Sequence, residues 1–152
     1  MKTSRRQFMI LSAAGACTLA LNGKVQAQAM VAAARANNVA LLEAMWTRFL
    51  PHMAQVRELL QTGVIGQVVH VEADFGEYLI GHEIPRLIEP SFAGGALLDL
   101  GIYPISFTHM VLGAPARITA TGVLTEKGVD SQTSAIFDYE NGAQAIVTTT
   151  FI

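Results

Sequence analysis

Three runs near the C-terminus, at roughly 116–124, 132–139 and 143–151, read as strands, and the last two flank Asn141-Gly142. Alternation with a period of two places successive side chains on opposite faces of a strand. Asn-Gly tolerates the positive φ angles of a tight hairpin turn, so the last two runs pair antiparallel. A fourth run lies upstream: Val69, Val71, Ala73 and Phe75 alternate with His70, Glu72 and Asp74. Its two faces are apolar and ionisable, as on a sheet covered on one side and open on the other.

Helical patterns supply the cover. Residues 29–38, AMVAAARANN, are alanine-rich and end in Asn-Asn, a helix with a stop. Val39–Ala44 is a short apolar run that reads as a buried strand. Pro51 suits the first position of a helix whose stripe is Met53, Val56, Leu59 and Leu60 and whose end is Gly63. Residues 76–93, with Pro85 and Pro90, read as an irregular excursion. A further helix spans about Ala96 to Leu112, stopped by Gly113-Ala-Pro115. The class is α+β, a mainly antiparallel open sheet with helices on one face. The chain stops at Phe151-Ile152, within or at the end of a strand, and a C-terminally incomplete domain is expected.

The stretch Gly94-Gly-Ala-Leu-Leu-Asp-Leu-Gly-Ile-Tyr103 sets one acid and one phenol into an apolar helix. Four residues apart, Asp99 and Tyr103 would share one helix face, a turn apart. Two readings stand: a capping acid with a half-buried tyrosine, or a proton-handling pair at a substrate pocket. Gly94 and Gly95 favour the second. Glycines before a helix let a ligand approach the backbone, and free N–H groups at a helix start attract phosphates, so both are candidate cofactor contacts.

The first 27 residues hold four of the ten basic residues and none of the twelve acidic ones, leaving about −6 on the remainder. An acidic body speaks against nucleic acid as a partner. The basic start, an apolar middle from Phe8 to Leu21 and small residues at Val25, Ala27 and Ala29 have the layout of a secretory signal. Ser4-Arg5-Arg6-Gln7-Phe8 fits the twin-arginine pattern, so a periplasmic location is expected, with cleavage after Ala27 or Ala29. The apolar stretch is too short and diluted for a permanent membrane span. Cys17 is the only cysteine and lies within this signal, so disulfides and Cys-ligated metal are not expected in the mature chain.

Taken in order, Glu43-Ala-Met-Trp-Thr-Arg-Phe49, Gly63-Val-Ile-Gly66, Glu72-Ala-Asp-Phe-Gly76 and the Gly94–Tyr103 stretch resemble the Gfo/Idh/MocA oxidoreductase family. Tyr103, where many members have His, and Trp-Thr-Arg-Phe at 46–49 resemble the branch holding glucose–fructose oxidoreductase and the dimeric dihydrodiol dehydrogenases. The resemblance implies an NADP- or NAD-dependent oxidoreductase of sugars or cyclic diols. It gives Tyr103 the role of acid/base or of orienting the substrate oxygen, with Asp99 in support. Trp46, Arg48 and Arg86 become candidate substrate contacts, and the open sheet face a surface for homo-oligomers. It also implies parts that this sequence lacks. No G-x-G-x-x-G occurs, and the one lysine after the signal, Lys127, sits in a Thr-Glu-Lys-Gly turn and reads as solvated rather than as the family's catalytic lysine.

The expected organisation is therefore a signal at 1–29, the last helix and strand of a dinucleotide-binding domain at 30–50, and a substrate and dimerisation domain at 51–152. Such a half is expected to be inactive alone. The alternative is an exported binding or oligomerisation module without catalysis. His70, Glu72 and Asp74 share a strand face, but metal sites gather ligands from several elements, so no metal is assigned. His82, Glu83 and Arg86 precede the Tyr103 helix, where substrate contact and plain solvation are equally open, and His109 reads as structural.

Overall fold

The computed structural model describes residues 23–79 and 84–152. The twin-arginine pattern, Cys17, His82 and Glu83 lie outside the described residues. The chain divides into two compact units, Met1–Ala44 and Met45–Ile152.

In the first unit, α1 covers Gly23–Ala36. It starts six residues before the expected helix and runs through both expected cleavage points. The Asn-Asn stop holds: Asn38 adopts φ 51°, Asn37 Nδ2 donates to the Ala33 carbonyl at 2.8 Å, and the Val39 N–H donates to Ala34 at 3.0 Å. The strand expected at Val39–Ala44 does not form. No described strand runs beside this segment, and a lone strand leaves its backbone groups without ladder partners. Leu42 is accordingly 60% exposed.

The second unit opens with a 3-10 turn, Trp46–Phe49, and α2, Pro51–Thr62. Pro51 occupies the start of α2, and Gly63 ends it at φ 68°, as the sequence predicts. Four strands follow: β1 His70–Gly76, β2 Arg117–Leu124, β3 Asp130–Asp138 and β4 Gln144–Thr150. Their spatial order is β1-β4-β3-β2. β2–β3 and β3–β4 are antiparallel, whereas β1 joins β4 in parallel, so the sheet is mixed. The hairpin at Asn141-Gly142 forms through a three-residue loop. The Gly142 N–H donates to Tyr139 at 3.0 Å, Tyr139 N–H to Ala143 at 3.1 Å, and Gly142 takes φ 82°.

Between β1 and β2, the described residues form three α-helical pieces, α3 Pro85–Ile88, α4 Ala96–Asp99 and α5 Ile102–Leu112, and a 3-10 turn at Pro90–Phe92. α5 packs on β1 and β4, and α4 on β3 and β4. Ile105, Phe107, Val111 and Leu112 of α5 meet a buried layer of Val71, Ala135, Phe137, Ala145 and Val147. Burying a side chain such as Phe137 contributes about 1.5–3 kcal/mol. Leu87, Ala96, Leu100 and Phe151 form a second buried cluster. The helices do not cover β2, all eight residues of which are exposed.

The single helix expected over 96–112 is broken. The segment Pro90–Asp99 meets α5 at 51°. Pro104 explains the break: it has no N–H for the Leu100 carbonyl, which instead accepts the Tyr103 N–H at 3.2 Å. Gly101 is required at the corner, where a Cβ would sit 2.7 Å from the Leu97 carbonyl oxygen. Among the described residues no single helix is long and apolar enough to cross a membrane.

Candidate functional site

Where the 3-10 turn and the start of α2 face the edge of β1 and the first turns of α5, an open cleft of about 380 Å³ forms. Thr47, Arg48, Leu50, His52 and Met53 line one side. Glu72–Phe75 of β1 line the second, and Tyr103, Pro104, Ser106, Phe107 and Met110 line the third. Helical spacing from Tyr103 brings Phe107 and Met110 to the same side of α5. Pro104 sets the start of that helix, and hence the position of Tyr103.

Tyr103 is half-buried between two aromatic rings. Its centroid lies 5.3 Å from Phe75, edge to face at 68°, and 5.9 Å from Trp46 at 57°. Such pairs contribute about 0.5–1.5 kcal/mol beyond area burial, which holds the phenol in place. Among the described residues the Tyr103 hydroxyl has no hydrogen-bond partner, so its donor and acceptor capacity is unspent. Trp46 is 53% exposed and touches Tyr103 without itself lining the cleft.

Asp99 and Tyr103 do not form the pair that a continuous helix would make. With the helix broken between them, the Asp99 carboxylate instead takes the Arg86 guanidinium as an ion pair. Of the predicted site residues, the structure thus joins Tyr103 to Trp46 and brings Arg48 to the same cleft, while Asp99 and Arg86 join each other and do not line it.

Gly94 and Gly95 are not open to a ligand. The Gly95 N–H donates to Leu87 at 2.8 Å and the Gly94 N–H to Glu89 at 3.2 Å. At Gly95, with φ 123°, a Cβ would fall 2.2 Å from Asp130 Oδ1, and at Gly94 it would fall 2.5 Å from the Leu87 carbonyl oxygen. The α4 start is closed as well: the Leu97 N–H donates to Asp130 Oδ2 at 2.9 Å, and Thr133 Oγ1 donates to the same oxygen at 2.7 Å. The free N–H groups expected here are spent on internal packing. Lys127 is likewise not merely solvated, since it pairs with Glu89.

The sequence did not mark Phe75, His52, Ser106 and Met110 as cleft residues, and it offered Glu72 and Asp74 as open-face residues and, with His70, as metal-ligand candidates set aside. Phe75 carried a signal, lying one strand position beyond two ionisable residues. His52, Ser106 and Met110 carried none, because they meet only in three dimensions. Among the described residues no group of three His, Cys, Asp or Glu side chains gathers to hold a metal. His70 Nε2 lies 3.5 Å from Glu72 Oε1, and His109 is exposed on the last turn of α5.

An open sheet backed on one face by a broken helix, with an aromatic cleft at the helix start, defines an α+β domain with a small-molecule-sized recess. Residues 53–152 match the GFO/IDH/MocA C-terminal domain, and the chain belongs to that family. It is 40% identical over 136 residues to the trans-1,2-dihydrobenzene-1,2-diol dehydrogenase of Xenopus tropicalis, covering 88% of this chain and 40% of that protein. The Homo sapiens dehydrogenase of the same name is 42% identical over 112 residues, 72% of this chain and 33% of that one. The chain thus spans about 40% of the length of such relatives. Among solved structures, an aldose-aldose oxidoreductase from Caulobacter crescentus complexed with glycerol superposes with TM-score 0.70 at 23% identity, over 84% of this chain and 40% of that one, a likeness of fold. A 3-ketoreductase from Actinomadura kijaniata, in complex with NADP and TDP-benzene, gives TM-score 0.64 at 28% identity, over 85% of this chain and 40% of that one.

Proposed function

We propose that this chain is the substrate-holding domain of an exported NAD(P)-dependent oxidoreductase acting on sugars or cyclic diols. One observation carries the reading: a tyrosine with an unspent hydroxyl, braced by two aromatic rings, lines a cleft in a chain 40% identical to diol dehydrogenases over 88% of its length. A phenol so placed donates its proton to a carbonyl oxygen on reduction, and its phenolate takes the alcohol proton on oxidation. The Phe75 and Phe107 rings and Met110 offer the apolar face on which a ring would lie and exclude water from it. Asp99 acts through Arg86: their ion pair ties α3 to the end of α4, next to the corner from which Tyr103 emerges.

NADP, as in the Actinomadura complex, or NAD supplies or accepts the hydride when bound. The described residues do not fit its phosphates. The N–H groups of Gly94 and Gly95 are occupied, and the Asp130 carboxylate at the α4 start would repel a pyrophosphate. This chain's own share is to bind the ring, hold its oxygen against Tyr103 and move the proton there.

Export rests on Ser4-Arg5-Arg6-Gln7-Phe8 and is tested by periplasmic fractionation before and after Arg5→Lys/Arg6→Lys. A second copy on the open sheet face is proposed from Ile136, 41% exposed and paired across the strands with Ile146 in the middle of that face. Sedimentation analysis showing a dimer supports it; a monomer at high concentration speaks against it.

Titrating the chain with trans-1,2-cyclohexanediol, followed by NMR, should shift Tyr103, Trp46 and Phe75 saturably, and NADPH should show no saturable fluorescence change. Unmoved aromatic resonances contradict the substrate role, and micromolar NADPH binding contradicts the absence of a phosphate seat.

A further inference from the structure

Because β1 is an edge strand, it turns its rim to the cleft, and four consecutive residues, Glu72–Phe75, line it together. The rim thereby brings ionisable open-face residues beside apolar ones from the covered face. Arg48 stands on another wall of the cleft. Among the described residues Arg48 and Asp74 form no ion pair, and Glu72 has only its 3.5 Å contact with His70. Glu72, Asp74 and Arg48 therefore line one small recess with few partners of their own, beside a wall of Tyr103, Phe107 and Met110.

We infer that Glu72 and Asp74 are specificity-determining residues, selecting an uncharged polyhydroxylated ring over the same ring carrying a carboxylate or phosphate. The inference rests on the cleft being the substrate site. Hydroxyl groups donate to carboxylates and accept from a guanidinium, so a neutral polyol uses all three charged groups while its C–H face lies on the aromatic wall. An anionic ring gains Arg48 but meets two like charges. These groups are solvent-exposed, so the discrimination is moderate and screened by salt.

Trp46 is the only tryptophan and sits beside Tyr103, so its emission reports occupancy of the intact chain. Glucose and glucuronate, which differ by one carboxylate, are titrated at low ionic strength. Glucose should bind about fivefold tighter, the preference falling below about twofold in 0.5 M salt. In Glu72→Gln/Asp74→Asn the two sugars should bind alike. Equal binding by the wild-type chain, or a preference that salt and the double substitution leave unchanged, overturns the inference while leaving the substrate site standing. If neither sugar changes Trp46 emission, both fail.

Discussion

Tyr139 is buried at the β3–β4 turn, and among the described residues its hydroxyl has no partner. Burial raises its pKa above the ordinary value of 10.0. Above that pH the unfolded chain loses the phenol proton first, so stability falls as pH rises from about 10 through the raised folded value. Tyr139→Phe removes both the unpaired hydroxyl and this titration. It should leave neutral-pH stability unchanged or raise it by up to about 1 kcal/mol, and it should move the alkaline unfolding midpoint upward in a circular dichroism titration. Asp138, on the open face, behaves oppositely. The Gln144 side-chain hydrogen bond, and then Arg117, hold its carboxyl below the ordinary 3.8. Its contribution is present above that value and disappears as pH falls below it. Asp138→Asn should flatten the acid side of the unfolding curve. At this scale the sequence showed Tyr103 as a candidate, because a phenol in an apolar helix is conspicuous. It did not show that Asp99 belongs to Arg86, since that pairing depends on the path of residues 84–95.

Elements explain why that path was hidden. Pro104 was visible in the sequence, yet the helical pattern of 96–112 masked what a proline at the third position of α5 does to the carbonyl four residues before it. Val39–Ala44 had the composition of a strand, but a strand needs a neighbour, and pairing is not written in the segment itself. β1 was legible from its alternation, and β3 and β4 from the Asn141-Gly142 turn between them. The parallel docking of β1 was not, as it depends on which strand edge the returning chain reaches. Gly95 and Gly63 differ in what surrounds them. Gly95→Ala places a Cβ at φ 123° and 2.2 Å from Asp130 Oδ1, where Gly63→Ala at φ 68° meets open space. Denaturant unfolding should show a loss of about 1 kcal/mol for Gly63→Ala and distinctly more for Gly95→Ala. Asp130→Ala, which removes the acceptor for Leu97 and Thr133, should cost about 1–2 kcal/mol.

In the second unit, α4 and α5 pack on the mixed sheet, and the cleft lies at the rim where β1, α5 and the start of α2 come together. The chain's charges are placed to match: Glu72, Asp74 and Arg48 line the cleft, while Lys127 and Arg86 are spent tying down residues 84–95 through Glu89 and Asp99. Family membership is shown by the match over residues 53–152. We propose more narrowly that this domain by itself holds a hydroxylated ring against Tyr103. The most direct measurement is a titration of Trp46 emission with trans-1,2-cyclohexanediol, in the wild-type chain and in Tyr103→Phe. A saturable change is expected in the wild type, with at least about fivefold weaker binding once the hydroxyl is removed, since a lost hydrogen bond of roughly 1 kcal/mol corresponds to about that factor. No saturable change, or identical affinity in the two proteins, would contradict it.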